Sequence, residues 1–465
     1  MEYGRKVCKE RTQEMYKQNH TEVNMLDGPI FSTMVRFAIP MLFSSIFQQL
    51  YNTMDTVIVG HTLGETALAA IGAATPAYDL LMGFALGIGS GLSIVTARSY
   101  GSKDEETLKK SVSGALVIGV VLTLILTLVT RIGLMPFLKL LNTPEDILPE
   151  AYEYSSCIML FMGVTFAYNL CSGILRAVGD SVMPLIFLII SSVLNIVLDL
   201  WFIVGLGMGV RGAAVATVLA QAISVVLCVL YVLHSVRMLI PEKRHFRPDG
   251  KLYAEMLTQG GSMGLMNCLV YAGTAILQTG INDLGYLVIA GHTAARKLCS
   301  FSMMPLSAMI ASVNTFVSQN FGAGKCDRIR KAMKAAYLYD AIVTVLITVA
   351  VYAFAPVMLS LISGSSEPVI IENGSLYLKV AAPAFFVLGL INDTRTALQA
   401  IGSKVLPLFS SIIELIGKIL FVSLLVPRFQ YLAVVFCEPV IWCFMAAELL
   451  IAFWMDPVVR GAGKQ

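Results

Sequence analysis

Eight carboxylates interrupt the apolar stretches of this chain: Asp55, Asp79, Asp199, Asp340, Asp393, Glu414, Glu438 and Glu448. A charge at the centre of a bilayer costs at least ~2.5 to 3.5 kcal/mol on insertion scales, so such side chains stay only for pairing inside the protein or for chemistry. Asn195 precedes Asp199 by four residues, about one helical turn, which places an amide and a carboxylate on one helix face. With Asp55 from another apolar run, the group reads as an ion site. Two carboxylates in a poorly hydrated pocket cannot both ionise cheaply, so one is expected to hold a proton, or the pair to hold a sodium ion. Glu414 and Lys418 share the same four-residue spacing and read as an intrahelical ion pair that either lines a cleft or braces it. Asp393 and Arg395, two apart, face different ways. Asp79, Asp340, Asp393, Glu438 and Glu448 receive no role from their spacing.

The elements that must position these groups follow from composition. Of 465 residues, 57% are hydrophobic and only 14% are charged, with a mean hydropathy of +0.76, whereas a soluble domain carries about 25% charged residues. The chain is therefore expected to be an all-α polytopic membrane protein. A span needs about 20 apolar residues, and that ruler gives runs at 36–59, 66–97, 111–135, 152–175, 182–205 and 210–234, then 253–280, 286–320, 331–356, 376–400, 404–426 and 430–455. Twelve transmembrane helices are expected, with kinks or bends at Pro40, Pro76, Pro184, Pro305, Pro383, Pro407 and Pro439. A rise of ~1.5 Å per residue puts Asp55 about 28 Å and Asp199 about 25 Å above the inner ends of their helices. Tyr154 and Thr217, entering from the outer side, lie roughly 3 and 10 Å in by the same ruler. Four polar side chains from four helices thus share one outer layer.

Lys and Arg concentrate in alternate connections, chiefly 98–110, 237–251 and 325–334. The positive-inside rule then places both termini in the cytosol. The two halves also repeat each other. Setting Leu63-Gly64 on Leu284-Gly285 also aligns Leu68-Ala69 with Ile289-Ala290, Tyr100-Gly101 with Phe321-Gly322, and Lys110 with Lys331. Two residues further in offset, Asn169 meets Asn392, Leu175 meets Leu398, Gly179 meets Gly402, and Pro184-Leu185 meets Pro407-Leu408. Two pseudo-symmetric six-helix bundles follow, related by an axis along the membrane normal and enclosing a central cleft. The expected division is a cytosolic tail (1–30), an N-lobe (31–236), a basic cytosolic linker (237–251), a C-lobe (252–457) and a cytosolic tail (458–465).

The run Met54-Asp55-Thr56-Val57-Ile58-Val59-Gly60, with Ile39-Pro40, Leu63-Gly64, Ala67-Leu68-Ala69-Ala70, Tyr100-Gly101, Leu175-Arg176-Ala177-Val178-Gly179-Asp180 and Asn195-Ile196-Val197-Leu198-Asp199, resembles the multidrug and toxic compound extrusion (MATE) family in its prokaryotic, DinF-like branch. The resemblance covers nearly the whole chain, and the order of the motifs is its strength. It implies that the aspartate of the first helix, the Asn-x3-Asp of the fifth, a tyrosine on the fourth and a threonine on the sixth bind the coupling cation. These match Asp55, Asn195, Asp199, Tyr154 and Thr217, with sodium, if it is the ion, at Asp55, Asn195 and Asp199. It does not carry a sodium site into the second half: Gly260 to Gly280 contains no carboxylate and Asp393 is displaced.

The expected function is secondary active export: a proton or sodium gradient drives small organic, cationic compounds outward across a bacterial plasma membrane by alternating access, in a monomer with no cofactor. The alternatives are a flippase for lipid-linked precursors, which needs a more basic cavity than Arg296, Lys297, Arg395 and Lys418 offer, and a membrane enzyme. No phosphate-cradling Gly-Lys-Ser/Thr loop, His-Glu-x-x-His or nucleophile elbow appears, so neither ATP-driven transport nor catalysis is expected. The nine cysteines lack metal-ligand spacing. A net charge of +3 spread over the loops gives no reason for a nucleic-acid partner. Gly83, Gly87 and Gly91 form a small-residue face suited to close helix packing, and the 23 methionines suit core or an adaptable pocket.

Overall fold

Backbone groups within lipid find no water, so an apolar run must satisfy its own hydrogen bonds as a helix. The computed structural model describes residues 22–140, 145, 148–365 and 367–461. Most of the expected N-terminal tail and residues 462–465 lie outside the described residues. In chain order the helices are α1 (Ile30–Leu63), α2 (Glu65–Gly101), α3 (Glu105–Leu140), α4 (Leu148–Leu160), α5 (Met162–Ala177), α6 (Val182–Asp199), α7 (Gly209–Ser235), α8 (Gly250–Asn282), α9 (Tyr286–Ser302), α10 (Met304–Gly322), α11 (Cys326–Ser363), α12 (Pro368–Ala400), α13 (Val405–Leu420), α14 (Val426–Phe429), α15 (Tyr431–Met455) and α16 (Pro457–Arg460). Among the described residues ten stretches are individually long and apolar enough to cross a membrane, and counting each bent pair, α4/α5 and α9/α10, as one span gives twelve.

Those two bends, 47° and 44°, fall in the fourth and eighth spans and have different local causes. At α9/α10, Pro305 opens the second helix. At α4/α5 there is no proline, and Gly163 next to the break packs on Thr123 with no room for a Cβ. Pro184 and Pro407 likewise occupy the first turns of α6 and α13, where a missing N–H is harmless. They start helices rather than kink them, contrary to expectation. Pro40, Pro383 and Pro439 do lie inside helices.

Two compact units divide the chain, one containing Ile39–Gly261 and the other Pro29–Ala38 with Ser262–Gln465. The divisions fall within α1 and α8 rather than in loops. In the first unit α2 packs on α3, α4 and α5, while α6 packs on α7, around a core that includes Leu92, Val112, Met159 and Phe166. Gly91 there crosses Gly260 so closely that a Cβ would lie 2.5 Å from the Gly260 Cα, which gives one residue of the expected small-residue face its purpose. In the second unit α12 is central and packs on α9, α10, α11 and α15. Val120, Leu124, Leu128 and Ile132 on α3 are exposed, as are Leu338, Val345, Leu346 and Val349 on α11. These faces suit lipid, not water.

The repeated Leu-Gly and Gly motifs have a backbone explanation. Gly64 (φ 87°, ψ −174°) and Gly285 (φ 93°, ψ 159°) cap the starts of α2 and α9 in a region essentially reserved for glycine. Gly179 and Gly402 share φ values of 100° and 102°. Residues 237–251 are more ordered than a linker reading implies: Arg237–Leu239 and Lys243–Phe246 form 3₁₀ turns. His245 is buried there, takes part in a capping box with Glu242, and its Nε2 lies 3.1 Å from Glu106. The Glu106 carboxyl is held below its usual range, first by that hydrogen bond and also by the Arg244 charge.

Candidate functional site

Asp199 and Asn195 lie on the last turns of α6 and are fully buried. In the orientation that satisfies both ends of the Asn195 amide, Nδ2 donates to Asp199 Oδ2 at 3.0 Å and Oδ1 accepts from the Thr217 backbone N–H on α7 at 3.3 Å. The opposite orientation brings Nδ2 to Thr217 Oγ1 at 3.3 Å. Either way Asn195 ties the carboxylate helix to α7. Asp55, on α1, is half-buried, and its carboxyl lies beside that of Asp199. Tyr154, from α4, is half-buried and lies within electrostatic reach of both carboxyls. All five residues singled out from the sequence thus converge in the first unit.

Two carboxylates are acceptors only, so their contact requires a shared proton or an intervening cation. Asp55 Oδ1 and Asp199 Oδ1 are both buried without a hydrogen-bond partner. Further hard oxygen donors come from Asn195, Thr217 and Tyr154, a set suited to a proton or to sodium rather than to a soft metal. Two residues of the layer escaped the sequence reading. Tyr51 stands near Thr217, Asp55 and Asp199, and Tyr78 lies near Tyr154. Tyr51 is one turn before Asp55 on the same helix, a spacing that could have revealed it; Tyr78 carries no comparable signal. Directly after Asp199 the helix loosens into a π turn, Leu200–Gly205. A matching π turn, Phe421–Leu425, follows α13 in the second half, and such turns recur at functional sites.

The second unit holds two further polar clusters. Glu414 and Lys418 form the expected ion pair, Nζ to Oε1 at 2.8 Å. Lys418 also lies 3.6 Å from Glu438. Glu438 accepts from Arg296 Nη1 at 3.1 Å and from the Tyr377 hydroxyl at 2.9 Å, so it is the hub of a network and not an isolated carboxylate. Separately, Asp340 of α11 and Asp393 of α12 lie side by side, with both carboxyls buried and all four oxygens without a hydrogen-bond partner. The Asp340 carboxyl lies against Gly389, one turn before Asp393, where a Cβ would stand 2.6 Å from Oδ2. The second half therefore also contains a carboxyl pair, which its departure from the family pattern had not led us to expect. Asp393 and Arg395 do face different ways: Arg395 turns to Ser410, donating from Nε at 3.1 Å. Asp79 sits at the edge of its apolar stretch, beside Tyr78. Glu448 has both carboxylate oxygens buried and unpartnered. Among the described residues no group of three or more His, Cys, Asp or Glu is arranged to hold a metal ion.

The chain is similar to known proteins over most of its length. The MatE family model matches the chain twice, over residues 40–201 and 263–424, as the internal repeat requires. The "Probable multidrug resistance protein YoeA" of Bacillus subtilis (strain 168) is 26% identical over 83% of this chain and 85% of its own length. The "Multidrug export protein MepA" of Staphylococcus aureus (strain N315) is 23% identical over 91% of this chain and 92% of its own. The "FAD transporter" of Shewanella oneidensis is 26% identical over 81% and 83%. Among solved structures, an outward-facing multidrug resistance MATE family transporter of the MOP superfamily superposes with a TM-score of 0.89 at 23% identity, covering 97% of this chain and 100% of that one. The chain belongs to the MatE family and is a multi-pass membrane transporter, not an enzyme.

Proposed function

We propose that this transporter is a secondary active multidrug exporter working by cation-coupled antiport, with the coupling proton or sodium ion held between Asp55 and Asp199. The observation that carries the reading is the contact of these two carboxyls, each with a buried oxygen lacking a partner. Asn195, Thr217 and Tyr154 complete the donor set, with sodium at Asp55, Asn195 and Asp199 if it is the ion. The cargo is small, organic and cationic. The protein works as a monomer in a bacterial plasma membrane, with both termini cytosolic, an orientation that the basic connections at 98–110, 237–251 and 325–334 favour.

Charge arithmetic sets what drives the cycle. Each charge crossing the membrane is worth ~2.3 kcal/mol per 100 mV, and exchange of one monovalent drug cation for one proton moves no net charge. Such a cycle rests on the ion gradient alone. The test is dye efflux from proteoliposomes with pH and sodium gradients imposed separately. Acceleration by one of them, and no effect of a membrane potential alone, is the expected result; efflux indifferent to both gradients would overturn the coupling.

A further inference from the structure

The second unit forms a partly open pocket of about 320 Å³ whose lining joins apolar and charged groups. Phe385, Trp442 and Met445 supply apolar wall. Arg296, Arg395, Lys418, Glu414 and Glu438 also reach its surface. The charges do not pair off. Glu438 is occupied by Arg296, Tyr377 and Lys418, and Glu414 by Lys418. Arg395 is left over. It is only 7% exposed, its single side-chain hydrogen bond runs from Nε to Ser410, and its Nη2 is buried with no partner. Glu414 and Glu448 lie within electrostatic reach of Arg395, but neither forms an ion pair with it, and Glu448 is not part of the cavity lining. A guanidinium buried with its nearest carboxylates beyond ion-pair distance is costly, and its planar fork is matched by a carboxylate.

We infer that this cavity is a cargo subsite that takes an aromatic carboxylate, with the anionic group on Arg395 and the ring against Phe385 and Trp442. The inference rests on the exporter reading and narrows its cargo to compounds carrying an acid as well as a cationic centre. A network that only braced the helices would use Arg395 in an ion pair, as it uses Arg296 and Lys418.

The test is equilibrium binding, by fluorescence polarisation, of two dyes that differ only in one group: rhodamine 110, a free carboxylate, and rhodamine 123, its methyl ester. Wild-type protein in nanodiscs is expected to bind the acid about tenfold more tightly than the ester, the worth of one charge-assisted contact. Arg395→Gln should remove that preference while leaving ester binding in place, and Arg395→Lys should keep part of it. Equal wild-type affinity for the two dyes overturns the inference without any variant, as does an Arg395→Gln variant that weakens both equally. If Arg395→Gln does not fold, displacement of rhodamine 110 from wild type by benzoate but not by benzamide decides the matter in the same way. Because binding needs no ion gradient, a wild type without acid preference but with intact gradient-driven efflux of rhodamine 123 removes only this subsite, whereas absent efflux removes the exporter reading.

Discussion

Asn195 touches Asp199 and α7 at once, so it tunes the site without carrying the ion's charge. Asn195→Ala is expected to leave efflux measurable and to move its pH or sodium midpoint by about tenfold or more, since a hydrogen bond to a charged group is worth ~1.5 to 3 kcal/mol. Initial efflux rates across a pH and sodium series check this, and an unmoved midpoint contradicts it. Glu414→Gln should behave differently. Lys418 keeps Glu438 at 3.6 Å, so the stability loss should fall short of the ~3 to 5 kcal/mol of a buried pair broken outright. Drug handling should weaken while the cation midpoint stays fixed; a shifted midpoint means that the coupling site extends into the second half. At this scale the sequence was informative where helical spacing carries the signal, as for Asn195 with Asp199 and Glu414 with Lys418. It was silent on Asp340 with Asp393, because that contact joins two helices and no spacing along the chain encodes it. Glu438 was unreadable for the same reason: its partners Arg296, Tyr377 and Lys418 come from three other helices.

Helix starts, π turns and caps decide where these side chains stand. Gly285 begins α9 at φ 93° with open space where a Cβ would go, so Gly285→Ala should cost only the backbone strain, about 1 to 3 kcal/mol. Thermal unfolding in detergent measures it, and a neutral substitution would show that α9 starts elsewhere. Asp104 caps α3, accepting from the Thr107 backbone N–H at 3.2 Å and from the Thr107 hydroxyl. The Thr107 hydroxyl, chiefly, holds the Asp104 carboxyl below its ordinary range. A carboxyl whose folded value is depressed contributes above its unfolded value and loses that contribution as pH falls through the folded one. Asp104→Ala should therefore cost about 1 kcal/mol near neutrality, and the gap from wild type should close in acid. Amide exchange at the start of α3 at two pH values reads both effects. All twelve spans were visible as apolar runs, and Pro305 marked the bend in the eighth, but the break within the fourth was not visible. A run of apolar residues reports only that lipid or core surrounds it, while the α4/α5 bend depends on Gly163 meeting Thr123 across helices. The π turn after Asp199 was equally hidden, since the same hydrophobic sequence satisfies either hydrogen-bond pattern.

On the scale of the molecule, two similar halves carry different chemistry. The family model matches both, and the paired glycines at 64 and 285 and at 179 and 402 show the shared backbone. The first half places its carboxyl pair among tyrosine, amide and threonine oxygens, whereas the second half adds a network of Arg296, Glu438, Lys418 and Glu414 around a cavity. The internal repeat was legible because glycine at a forbidden φ cannot drift. The division of labour was not, because it depends on which side chains meet. The central claim is that the contact between Asp55 and Asp199 couples the ion gradient to export. Its most direct test is dye efflux from proteoliposomes bearing wild type, Asp55→Asn or Asp199→Asn, under pH and sodium gradients imposed one at a time and normalised to reconstituted protein. Each substitution keeps size and most hydrogen bonding but removes a titratable charge. The account predicts that one gradient drives the wild type and that neither drives either variant, although both insert and fold. Normal gradient-driven efflux by both variants would contradict it.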